Sequence, residues 1–216
     1  MAFRYPLRTL TLIALLAVGS NALVAPIHAS DRATRASEFY EDALARMQKG
    51  DANGAVVQLK NALQQDNKML PALVLLGEAY LKTGAPLGAE RVLADAERLG
   101  ADRSQIIAMQ VETYGLLGRD RELLERFSPD GLPPGVQYKV LVARAYAQMD
   151  LGQYKAATQS LDQARQIDPN AAAALVALSR GYLQQGQFDQ AGAVAQSAID
   201  RNPSDPSGWN MKGSIA

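Results

Sequence analysis

Residues 70–103 read LPALVLLGEAYLKTGAPLGAERVLADAERLGADR, and two features of that stretch recur along most of the chain. The first is an apolar run at three-and-four spacing, Leu73, Leu76, Gly77, Tyr80 and Leu81, which is the period of one helical face. The second is Gly84, followed five, nine and twelve residues later by Ala89, Leu93 and Ala96 on one face of a second helix. A glycine between the two runs ends the first helix, because it adopts the left-handed cap conformation without steric cost. The alanines are small enough to let two helix axes approach to about 8–10 Å, with Tyr80 filling the space between turns.

The same register extends in both directions. Gly50, Gly84, Gly118, Gly152 and Gly186 stand 34 residues apart each time. Five residues after each comes Ala55, Ala89, Leu123, Ala157 or Ala191, and nine after comes Leu59, Leu93, Phe127, Leu161 or Ala195. Twelve after, Ala62, Ala96, Ala164 and Ala198 form a column that only Asp130 interrupts. In the last two full units Pro169 and Pro203 stop the second helix. A fixed period of this length marks a stacked array rather than one or two ordinary domains. No stretch alternates with β-branched residues, so the expected fold is all-α with no sheet.

These residues resemble the tetratricopeptide repeat, whose unit carries an aromatic, Leu-Gly, Tyr, Gly, Ala, an aromatic or Leu, Ala and Pro in that order. The pattern is nearly complete in 70–103 and 172–205. Unit 36–69 has Phe39, Ala43, Gly50, Ala55, Leu59 and Ala62 but Asn67 in place of proline. Unit 138–171 is strong in its second helix (Tyr154, Ala157, Leu161, Ala164, Pro169), while Tyr146 stands two residues early, so some irregularity is expected in its first helix or turn. Unit 104–137 is degenerate, with a second helix ending near Phe127 because Pro129, Gly131, Pro133, Pro134 and Gly135 cannot continue it. The resemblance implies a right-handed α-solenoid of stacked helix-turn-helix units.

A narrower likeness lies in Gly50-Asp51, Gln58 to Asp66, Leu75 to Leu81 and Trp209 to Gly213. These runs are similar to the N-terminal part of exported repeat proteins of the exosortase, PEP-CTERM sorting system, which accompany exopolysaccharide loci. Such proteins are described as lipoproteins. Lipidation needs a cysteine at the cleavage site, and this chain has none.

The two ends are read separately from the array. Arg4 and Arg8 precede an apolar run from Leu10 to Val18, and Ile27-His28-Ala29 closes it with small residues. That is the pattern of a secretory signal, 1–29, cleaved after Ala29, and its apolar core falls well short of the roughly 20 residues needed to span a bilayer. Residues 30–35 form a short lead before the array at 36–216. Residues 206–216, with Trp209 and Gly213, match the opening of a sixth unit, so the chain is expected to be the N-terminal piece of a longer protein. Together with the resemblance to exosortase-system proteins, export of this kind implies the periplasm, or the outer membrane, of a Gram-negative bacterium as the expected location.

Composition narrows the chemistry. The 216 residues carry 22 Lys and Arg against 22 Asp and Glu, one histidine and no cysteine. A neutral balance gives no electrostatic case for nucleic acid. Without cysteine there is no disulfide framework, cysteine zinc site or thiol nucleophile. Loss of His28 with the signal removes the usual base of a serine nucleophile and a common metal ligand. Neither a cofactor nor a metal is expected, and the chain is read as no enzyme; a catalytic part beyond Ala216 is the alternative. Asp120 and Glu122 read as solvated charges, and Arg119, Arg121 and Arg126 as partners in local helix pairs with Asp120, Glu122 and Glu125. Tyr80, Tyr114 and Tyr182 recur at one position of the unit and read as packing residues.

What remains is binding. The resemblance implies a concave wall lined by the first helices, with partners touching a few positions of each unit. Those positions hold Val74, Glu78 and Lys82; Gln105 and Glu112; Lys139, Val142, Tyr146 and Asp150; and Val176, Arg180 and Gln184. This wall lacks the Lys and Asn set with which some relatives clamp a C-terminal carboxylate. The expected partners are proteins or peptides, with outer-membrane or polysaccharide-export machinery among the candidates and no transmembrane span after signal cleavage. A direct polysaccharide binder would favour several groove aromatics, and only Tyr146 and Tyr40 stand there. The break at Ser128–Gly135 is open to three readings: a hinge, a docking notch or a decayed unit.

Overall fold

The computed structural model describes residues 24–169 and 172–216, with side chains from Ser30 onward; the charged and apolar parts of the expected signal lie outside them. Eleven helices and no strand occur among the described residues. They are α1 (Val24–Gln48), α2 (Ala52–Gln65), α3 (Leu70–Lys82), α4 (Pro86–Arg98), α5 (Arg103–Leu116), α6 (Asp120–Arg126), α7 (Pro134–Asp150), α8 (Tyr154–Ile167), α9 (Ala172–Gln184), α10 (Phe188–Arg201) and α11 (Pro206–Ile215). Odd-numbered helices are the first of each pair and even-numbered ones the second, so the fold is an all-α helical repeat.

The joint inside each pair is built the same way five times. Gly50, Gly84, Gly118, Gly152 and Gly186 have φ between 64° and 80°, the left-handed region. The N–H of the next residue then donates to the carbonyl five residues back: Asp51 to Arg46, Ala85 to Tyr80, Arg119 to Tyr114, Gln153 to Gln148 and Gln187 to Tyr182. This closure satisfies a carbonyl that the helix end would otherwise leave without a partner. Helix starts use two devices. Asp51, Asp102 and Asp205 accept N–H bonds from Gly54, Ser104 and Ser207, and Pro71, Pro86, Pro134 and Pro206 occupy first-turn positions where no N–H is needed.

Each helix packs on its neighbours in the chain, and the first helices also touch one another in series, α1 on α3, α3 on α5, α5 on α7, α7 on α9 and α9 on α11. No such series joins α2, α4, α6, α8 and α10 among the described residues. The first helices therefore form a continuous inner wall, and the second helices splay on the outside. The core between the layers is mostly Ala and Leu, with Leu59, Leu93, Leu123 and Leu161 about 1% exposed or less. Close approach fixes two glycines: a Cβ on Gly77 would lie 2.7 Å from Leu93 Cδ2, and one on Gly181 would lie 2.8 Å from Met149 Sδ.

The third unit departs from its neighbours in a way that explains itself. Helix α6 is only seven residues long and ends at Arg126. Phe127 folds inward instead, edge-on to Tyr114 with ring centroids 5.1 Å apart. Arg144 of α7 donates from one Nη1 to the carbonyls of Leu124 and Phe127, both at 2.8 Å, and Arg103 of α5 donates to the Ser128 carbonyl at 2.8 Å. The break is thus tied on both sides, which argues against a loose hinge. It is also shorter than the sequence reading had it, since Pro134 and Gly135 form the first turn of α7 rather than the end of the loop.

Two further expectations change. No irregularity appears near Tyr146; α7 is instead a turn longer than α3 or α9 and runs unbroken. Gln148 takes the inward position that Tyr80 and Tyr182 hold elsewhere and is buried, accepting from Ser160 Oγ at 2.8 Å, which frees Tyr146 to face the inner wall. Arg119 and Arg126 do not pair locally: they reach back to Glu90 and Glu97 of α4, bridging the outer valley between the second and third units. Helix α1 runs from Val24 to Gln48, and its first buried residue among those described is Ala36.

Candidate partner groove

Among the described residues, two hollows open on the inner wall. The larger, about 540 Å³, lies between α5, α7 and the start of α6, and reaches α9 through Ala173 and Arg180. Its floor is apolar, with Met109, Leu116, Leu123, Val142, Ala143, Tyr146 and Ala147. Its polar residues are Glu112, Asp120, Tyr138, Lys139, Asp150 and Arg180. The volume falls in the range of about 300–1,000 Å³ usual for ligand pockets. A second hollow of about 400 Å³ is lined by Tyr40, Leu70, Val74, Glu78, Ala101, Asp102 and Gln105, among others.

The twelve residues expected on the wall therefore divide. Glu112, Lys139, Val142, Tyr146, Asp150 and Arg180 meet in the larger hollow. Val74, Glu78 and Gln105 meet in the smaller. Three lie outside both: Lys82 ion-pairs with Glu78 at 3.7 Å in the open, Val176 packs among Ala172, Leu175 and Ala198, and Gln184 donates to Asp150 at 3.5 Å.

Local chemistry sets the larger hollow. Arg180 pairs with Asp150 at 3.3 Å and lies over the Tyr146 ring, 5.4 Å from its centroid. Tyr146 is thereby covered on one face, and burial pushes its hydroxyl pKa up while Arg180 pulls it down. The Ala174 N–H, in the first turn of α9, donates to the Tyr138 hydroxyl at 3.0 Å, so a tyrosine of α7 caps its neighbour. Glu112, Asp120 and Lys139 have no ion-pair partner among the described residues.

Asp120 is the residue that sequence reasoning missed. It is half-buried at the start of α6, and its carboxyl pKa is raised first by burial and then by the nearby Asp150. Taken from the sequence it read as a solvated charge, because nothing in a 34-residue register shows that a shortened α6 opens the wall beside it. A groove with an apolar floor, one stacked tyrosine and unpaired charges at its rim can hold an extended chain segment by burial and orient it by charge.

The family model for the tetratricopeptide repeat matches residues 46–110 and 148–215, leaving between them the shortened α6 and most of α7. Several solved structures share the fold. A thermophilic repeat protein of Thermus thermophilus aligns at 20% identity and TM-score 0.62, over 83% of this chain and 98% of that one. PilW, a type IV pilus biogenesis factor, aligns at 19% identity and TM-score 0.69, over 84% of each chain. YrrB, a repeat protein with an unusual peptide-binding site, aligns at 16% identity and TM-score 0.58, over 90% of this chain and all of that one. At these identities the likeness is one of fold. No curated protein matches the sequence significantly. With more than half of its residues matched by the family model and five glycine joints in register, the chain belongs to the tetratricopeptide repeat family.

Proposed function

We propose that the chain is an exported, non-enzymatic scaffold that holds protein or peptide segments in its inner groove. Members of the family bind protein and peptide partners and are in general scaffolds rather than enzymes. The observation that carries the proposal is the 540 Å³ hollow with its apolar floor, formed by preset helices. A preformed groove lowers the ordering cost of the complex, which is where much of the affinity of such sites comes from. Export rests on the signal-like pattern of residues 1–29. Cleavage after Ala29 is compatible with the array, because Ser30 to Arg35 are exposed and the first buried residue is Ala36. The PEP-CTERM likeness of Gly50 to Leu81 points to assembly of exopolysaccharide or surface proteins as the setting.

Photocrosslinking in a Gram-negative host tests this. A photoreactive residue replacing Tyr146 should yield protein adducts in the periplasmic fraction. The same residue replacing Phe188, 59% exposed on the outer layer, should yield few. Adducts found only in the cytosol, or carrying carbohydrate instead of protein, would overturn the reading.

A further inference from the structure

The unit period aligns groove residues in columns that run along the array. One column is Val74, Ala108, Val142 and Val176, an aliphatic rail. The next is Glu78, Glu112, Tyr146 and Arg180, acidic at one end and basic at the other. Several of these charges cancel within the protein, since Glu78 is met by Lys82 and Arg180 by Asp150. Within the larger hollow, Glu112, Asp120 and Lys139 have no ion-pair partner among the described residues. Lys139 lies near the start of α7, eleven residues from Asp150, so the ends of the hollow are about 16 Å apart along that helix. The hollow is therefore acidic where α6 begins and basic where α7 begins, with aliphatic side chains between.

We propose that this hollow receives an extended peptide segment in which a lysine or arginine stands beside aliphatic residues, the basic side chain directed to Glu112 and Asp120. The proposal rests on the groove being the partner site and adds the chemistry of the partner. Leu116, 58% exposed on the same wall as Glu112, supplies apolar surface for the stem of a long basic side chain and for its aliphatic neighbour. An ionised carboxylate at Asp120, partly stripped of water and facing Asp150, is held at a cost in the free protein that an incoming cation relieves. A sugar is the poorer occupant, because the Tyr146 face that would stack on it already carries Arg180.

The test uses fluorescein-labelled heptapeptides with two leucines flanking a central lysine, norleucine or glutamate, titrated by anisotropy against the whole chain at neutral pH and low salt. The lysine peptide should bind about tenfold more tightly than the norleucine peptide, as a hydrogen bond to a charged group allows. In the chain carrying Glu112→Gln with Asp120→Asn, that preference should fall to near one, with circular dichroism confirming the helical fold. Equal affinity for the lysine and norleucine peptides, a preference for glutamate, or a lysine preference that survives both substitutions would each overturn the proposal. So would a failure of the lysine peptide to bind. If the three peptides bind alike and compete for the groove, the scaffold reading stands without this one; that reading answers separately to crosslinking at Tyr146.

Discussion

Asp120 shows how one carboxylate can work against the fold that holds it. Its pKa in the folded chain lies above the ordinary value, so between the two values the folded state keeps a proton that the unfolded state has released. Stability then falls as pH rises through that window and stays lower above it, the reverse of a carboxylate such as Asp51, whose pKa is lowered by the Gly54 N–H and by Arg46. Asp120→Asn should therefore raise the thermal midpoint at pH 7. The gain should shrink to nothing near pH ~3, below the usual carboxylate range. A gain of the same size at both pH values, read from parallel melting curves, would show that charge is not its cause. Residues that recur were easy to read: the tyrosines at one unit position are packing residues, and Tyr114 is buried against Phe127. Asp120 was not, because its environment depends on the length of α6 and on the opposed carboxylate of Asp150, 30 residues away in sequence.

At the scale of the helix, the 34-residue glycine column falls on all five joints, and the prolines after Phe127 mark the short α6. The exception was α7, where Pro134 reads as a stop but serves as a start. A proline stands equally well after one helix and in the first turn of the next, so the residue type alone cannot choose. What holds the truncated corner was also invisible, since Arg144 and Arg103 reach carbonyls 17 to 25 residues away with no repeating pattern to announce it. Arg144 is half-buried, and burial lowers its pKa. Arg144→Met keeps most of the stem but strips the donors from the Leu124 and Phe127 carbonyls. The expected loss is about 2 kcal/mol in denaturant unfolding, with faster amide exchange confined to residues near the corner. A variant as stable as the parent would mean that water replaces the guanidinium without penalty.

The whole molecule is a chain of local contacts, and among the described residues each unit touches only the next. Stability in such an array is close to a sum of unit and interface contributions, and damage should spread no further than its neighbours. Leu161→Ala, which empties a site 1% exposed between α7, α8 and α9, should cost about 2–5 kcal/mol locally. Hydrogen exchange should then quicken across α7–α10 while α1–α3 keep their protection; uniform loss would reveal a single cooperative block. The architecture was legible because a repeated sequence forces a repeated structure, whereas the groove was legible only in part, because its depth arises where the repetition fails. The contrast between the touching inner helices and the separated outer ones has a mechanical consequence. Bending the array more tightly would drive the backbones of α3, α5 and α7 into one another, against hard repulsion, while straightening it only stretches soft attractive contacts. The solenoid is thus a spring with unequal stiffness, softer to widening of its inner wall than to tightening.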